Sequence, residues 1–183
     1  MADLKRSAKY EILTALLCVA FCSSGLAADS GPLSGSAQVQ WRQFVGTLKN
    51  AKSIVVYVGT ERRRAIDPKP TEATVEIADF EFLREPLKVG PESAQKLTSI
   101  VSDSRSFLDY RGMKFCGGFH PDLCIEWQFE QDGQRWHKRA FVCLGCHEWR
   151  LIDKLSAVHT DMSEESAAEL TKVVHEVRTK VSP

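Results

Sequence analysis

Between residues 123 and 131 the chain alternates apolar and polar side chains, and after Asp132-Gly133 a second run returns over 136–144. Ile125, Trp127 and Phe129 recur at every second position, and Asp-Gly is a tight-turn signature. The pattern predicts a β-hairpin with strands over 123–131 and 136–144. Directly opposed residues of an antiparallel pair lie on one face of the sheet. A two-residue loop pairs Gln131 with Gln134, and a four-residue loop pairs Gln131 with Trp136. Either register keeps Ile125 and Trp127 with Ala140 and Val142, and either puts Cys124 and Cys143 together on the opposite face. The longer loop sets Cys124 against Cys143. The shorter one sets it against Phe141, with Cys143 on the diagonal.

The flanking segments give this hairpin company. Trp41, Phe44, Val45 and Leu48 recur at helical spacing over 37–48. Ile54 to Val58 is a β-branched run bounded by turn residues and predicts a strand buried on both faces. Val75, Ile77, Phe80 and Phe82 predict one strand broken near Asp79, ended or pushed to an edge by Pro86. Gly90-Pro91-Glu92 opens a helix whose inner stripe is Ala94, Leu97, Ile100 and Val101. After the hairpin, 148–152 continues as a third strand or as an extension past a bulge at Gly145. Ser163 caps a last helix through about Lys180, with Ala167, Leu170, Val174, Val177 and Val181 inward. The expected fold class is α+β, a mainly antiparallel sheet with helices on one face and the cysteine-bearing hairpin at its centre.

The first 28 of the 183 residues have the layout of a signal peptide. Lys5, Arg6 and Lys9 precede an apolar stretch over 12–21, and small residues follow as far as Ala28. The apolar stretch is shorter than the ~20 residues of a membrane span. The expected organisation is a signal peptide over 1–28, a Gly/Ser/Pro-containing linker over 29–36 and one domain over 37–183. Export to the periplasm or the medium follows, with no membrane span after cleavage. Removing 1–28 takes Lys plus Arg from 24 to 21 and Asp plus Glu from 24 to 22, a net charge of −1. That charge offers no attraction for nucleic acid. Arg62-Arg63-Arg64, set between Gly59 and Pro68, reads as a solvated loop. A partner protein or the cell envelope remains the expected class of contact.

Cys18 and Cys22 leave with the signal, and Cys116, Cys124, Cys143 and Cys146 stay. In an oxidising compartment the leading reading is a disulfide framework. Four cysteines allow three pairings, of which Cys124–Cys143 with Cys116–Cys146 would staple the hairpin end. The second reading is a metal site, with Cys116, Cys124, Cys143 and Cys146 clamping a zinc ion as paired turns do in a zinc ribbon. His120 is a spare ligand there. The third reading is haem c. Cys143-Leu144-Gly145-Cys146-His147 is C-x-x-C-H, with two thioether anchors and His147 as axial ligand. Met162, His159 or His175 would serve as the second axial ligand. These five residues resemble c-type cytochromes, whose motif opens or lies on a helix; here it follows a strand pattern. The fourth reading is a redox dithiol of Cys143 and Cys146, which would need Cys143 at a helix N-terminus to lower its pKa.

No catalytic residue is assigned. Phosphate-loop, dinucleotide and nucleophile-elbow patterns are absent from the sequence. His120-Pro121-Asp122 matches the tripeptide of J-domain co-chaperones without their two long flanking helices, and reads as a turn entering a strand. Glu148 becomes a general base only beside a metal. The stretch Lys114-Phe-Cys-Gly-Gly-Phe-His-Pro-Asp122, the hairpin and Val142-Cys-Leu-Gly-Cys-His-Glu148 resemble a group of small exported bacterial proteins of unknown function. The resemblance spans roughly residues 75–180. It implies one exported domain and names no reaction.

Overall fold

The computed structural model describes residues 33–60, 71–112, 118–154 and 156–181. The expected signal peptide, the Arg62–Arg64 loop and Cys116 lie outside the described residues. The order of elements is α1 (Gly35–Val45), β1 (Ser53–Val58), β2 (Thr74–Ile77), β3 (Phe80–Leu83), β4 (Leu87–Lys88), α2 (Pro91–Ser102), β5 (Phe107–Leu108), β6 (Leu123–Gln131), β7 (Gln134–Cys143), β8 (Glu148–Ile152), β9 (Ala157–Met162) and α3 (Glu164–Val181). Seven strands form one sheet in the order β4-β1-β6-β7-β8-β9-β5, and β2 and β3 form a separate ribbon. Among the described residues every strand pairing is antiparallel. The α+β architecture is therefore as expected.

The central hairpin takes the shorter register, Gln131 opposite Gln134 and Cys124 opposite Phe141. Asp132 and Gly133 have φ of 53° and 73°. Two successive left-handed residues make a turn whose twist matches that of the strands it joins.

One face of the sheet carries the helices. Ile54, Val56, Leu123, Ile125, Trp127, Phe129, Ala140, Val142, Trp149 and Leu151 pack there against Trp41 and Phe44 of α1, Leu97, Ile100 and Val101 of α2, and Leu170, Val173 and Val174 of α3. Side-chain hydrogen bonds bind the layers together. Trp41 Nε1 donates to the Val101 carbonyl at 3.1 Å, and Trp127 Nε1 donates to Thr98 Oγ1 at 3.1 Å. Lys138, buried on this face, donates to the carbonyls of Gln43 and Phe44 at 2.9 and 2.8 Å. It thereby satisfies carbonyls that the last turn of α1 leaves without intrahelical partners. The other face carries Cys124, Phe141 and Cys143 and is covered by Ile77 and Phe82 of the β2–β3 ribbon and by Phe119.

Four expectations need correction. The linker does not extend to residue 36: α1 begins at Gly35, Leu33 is buried, and Ser34 bonds through its N–H and Oγ to the Asp109 carboxylate at 2.9 and 2.6 Å. Strand β1 is not equally buried on both sides, because Ile54 and Val56 are covered while Val55, Tyr57 and Val58 are half-buried. The broken strand over 75–82 is a hairpin, reversed at Ala78 and Asp79 with φ of 49° and 67°. Finally, β9 was absent from the sequence reading. Its alternation of Val158, Thr160 and Met162 is short and interrupted by polar residues, and it becomes legible only as the partner of β8.

Candidate functional site at the cysteine turn

Residues 144–147 carry the chain from β7 into β8 at one end of the sheet. Gly145 is exposed and His147 has φ of 52°, so the C-x-x-C-H segment is a tight reversal and not the start of a helix. Asp122 anchors it twice. Its N–H donates to the Val142 carbonyl at 2.7 Å, and its carboxylate accepts the Leu144 N–H at 2.7 Å. The Met162 N–H donates to the His147 carbonyl at 2.8 Å, tying the turn to β9.

The cysteines divide. Cys124 and Cys143 share one sheet face, as the hairpin pattern requires, but both are free, buried thiols. The expected Cys124–Cys143 staple is not formed. In the shorter register the two are diagonal neighbours, about 7–8 Å apart, at or beyond the reach of a disulfide. Burial pushes the Cys124 thiol far above its ordinary range. Burial also raises the Cys143 thiol, opposed by hydrogen bonds from the backbones of His120 and Cys146. Cys146 is disulfide-bonded, and its Sγ lies 3.6 Å from the Gly118 carbonyl oxygen.

The other expected ligands are spread over different parts of the fold. Met162 is in the helix-side core, His175 is on α3, and His159 lies on the opposite sheet face bonded to Glu148. Among the described residues no three His, Cys, Asp or Glu side chains are grouped to hold a metal ion.

On the helix side of the turn lies a cleft of about 660 Å³. Its walls are Gly59 and Thr60 after β1, the His120-Pro121-Asp122 entry to β6, Leu144 and Gly145 of the turn, and Thr171, His175 and Arg178 of α3. Gly59 lets the first two walls meet. Its N–H donates to the Asp122 carbonyl at 2.8 Å, and a Cβ there would collide with the Pro121 carbonyl oxygen.

On the other side, Glu148 is buried and its Oε2 lies 2.9 Å from His159 Nε2. Tyr110 stacks on the His159 ring at 4.0 Å between centroids. The sequence marks Asp122 only as part of a turn entering a strand, and does not single out Arg178 or Tyr110. Asp122 acts through a hydrogen bond to a residue 22 positions away, and Tyr110 meets His159 only because β9 lies at that side of the sheet. No protein-family model, curated protein or solved structure matches the chain.

Proposed function

We propose that the chain is an exported, non-enzymatic α+β binding domain. Its cysteine turn is a structural corner, and the cleft beside that corner is the binding site. One observation carries this reading: the turn that follows Cys143 and bears Cys146 is also a wall of the cleft, held there by Asp122.

The state of the sulfurs supports a structural role. A thiolate is the metal ligand and the nucleophile, and burial holds Cys124 and Cys143 in the thiol form. Haem c attachment needs both sulfurs of the motif presented together. Cys143 faces Phe82 and Phe141 in the second core, and Cys146 is already oxidised. A redox dithiol needs Cys143 activated at a helix N-terminus, whereas it ends a strand. Pairing of Cys146 with Cys116 completes the proposal: one disulfide and two buried thiols in the mature chain.

The test is intact-mass analysis of protein produced by secretion, with and without reductant and alkylating reagent. The expected outcome is a chain lacking residues 1–28, one disulfide and two thiols that alkylate only after denaturation. A Soret band, or one zinc ion per chain with four reducible cysteines, would overturn the reading. Ligands for the cleft would be sought by chemical-shift mapping. Perturbations that avoid Thr60, Leu144 and His175 would remove the cleft from the proposal.

A further inference from the structure

Five residues lie directly opposite one another in a row across the second face of the sheet: Tyr57, Cys124, Phe141, Arg150 and His159. The first three are partly or wholly covered apolar neighbours. Arg150 then places a full positive charge beside them. Its Cζ lies 4.3 Å from the centroid of Phe119 and 5.8 Å from that of Phe80. Phe80 in turn contacts both Phe119 and Phe141 at 5.6 Å. The guanidinium is thus fixed by aromatic rings rather than by a carboxylate.

Arg150 has no ion pair among the described residues, and its Nε is wholly buried without a hydrogen-bond partner. A buried donor without a partner carries a desolvation cost that nothing in its surroundings offsets. The acidic groups on the same face are engaged elsewhere: Glu148 bonds His159, and Asp161, opposite Glu148 in the next row, has its own interactions. Beside Arg150 the His159 ring is overlaid by Tyr110, which is 40% exposed. Among the described residues only Val39 and Tyr110 are large apolar side chains left exposed.

We propose that Arg150, with His159 and Tyr110, forms a carboxylate-binding site on the face of the sheet away from the helices, and that its ligand is a monoanionic carboxylate on an apolar or aromatic body. A single guanidinium fork accommodates one carboxylate, and the Glu148 and Asp161 carboxylates on the same face disfavour a second negative charge on the ligand. A planar guanidinium held in place presents parallel N–H donors that match the two oxygens of a carboxylate. The exposed Tyr110 ring supplies the apolar surface for the rest of the ligand. This site is independent of the cleft at the cysteine turn.

The test is a titration of the full mature protein followed at the Arg150 Nε–H resonance, assigned by through-bond connectivity to the Arg150 backbone amide. The probe is 3-phenylpropionate, with 3-phenylpropanol and inorganic phosphate as comparisons. The expected result is a saturable shift with the carboxylate and none with the alcohol. Arg150→Lys should weaken binding by about tenfold, since it keeps the charge and loses the fork. Tyr110→Ala should weaken 3-phenylpropionate several-fold and leave acetate unchanged. An unmoved Arg150 resonance, an equal response to the alcohol, or tighter binding of phosphate would each overturn the proposal. The wild-type titration and the Tyr110 variant decide it even if Arg150→Lys fails to fold.

Discussion

Cys124 shows how a residue's chemistry is set by its surroundings. Its thiol is fully covered, and burial holds its folded pKa above the unfolded one. A raised folded pKa gives stability that is complete below the unfolded value, about 8.5. That stability is lost as pH climbs from there towards the folded value, because only the unfolded chain ionises readily. Cys143 shifts in the same direction. Urea unfolding of the oxidised protein should therefore show stability falling above about pH 8.5. Cys124→Ala should cost about 1 kcal/mol at pH 7 and flatten that alkaline slope. A slope unchanged in this variant would assign the alkaline loss to other groups, of which Tyr57, also raised chiefly by burial, is the first candidate.

At the scale of elements, the central hairpin was legible because its periodicity, its Asp-Gly turn and its length all point the same way. Pattern alone left two registers open, and the left-handed pair Asp132 and Gly133 selects the shorter. Contacts between elements far apart in sequence were not legible. Lys138 sits mid-strand and closes the C-terminal turn of α1, 94 residues earlier. Burial lowers its pKa, partly offset by Asp153 at 3.7 Å. Lys138→Ala leaves two helix carbonyls without this donor and removes the cation beside the mostly buried Asp153 carboxylate, so thermal unfolding should show a loss of about 2–3 kcal/mol. A loss under about 0.5 kcal/mol would mean that water replaces the ammonium. Gly59 is a second such junction. Gly59→Ala forces β1 away from the Pro121–Asp122 backbone, and should lower stability by about 2 kcal/mol or more and shift the amide resonances of residues 120–122 and 144.

The unit that begins at Gly31 is built, in its described residues, on a sheet with two differently used faces. The helix side is a continuous apolar core. The other side grades from a small apolar cluster under the β2–β3 ribbon into the polar row of Arg150 and His159. Cys146, which is disulfide-bonded, follows Gly145 of the cleft wall. Cys146→Ser should lower the unfolding free energy by ~2–4 kcal/mol and broaden the amide signals of residues 118–122, whereas a variant as stable as the parent would leave the disulfide without a structural role.

Sequence alone determined what depends on local spacing. The strand period of two, the helical stripes and the turn residues specified the α+β class, the central hairpin and the shared face of Cys124 and Cys143. Each is a property of neighbours along the chain, readable from which side chains must face away from water. Tertiary structure decided what depends on exact register and on partners distant in sequence. A two-residue turn put Cys124 opposite Phe141 and left both thiols unbonded. Strand β9, too short and too polar to stand out, brought His159 beside Arg150 and Glu148. A C-x-x-C-H motif has the same five letters in a helix or in a turn; here the Asp122 carboxylate and the burial of Cys143 make it a corner of the fold.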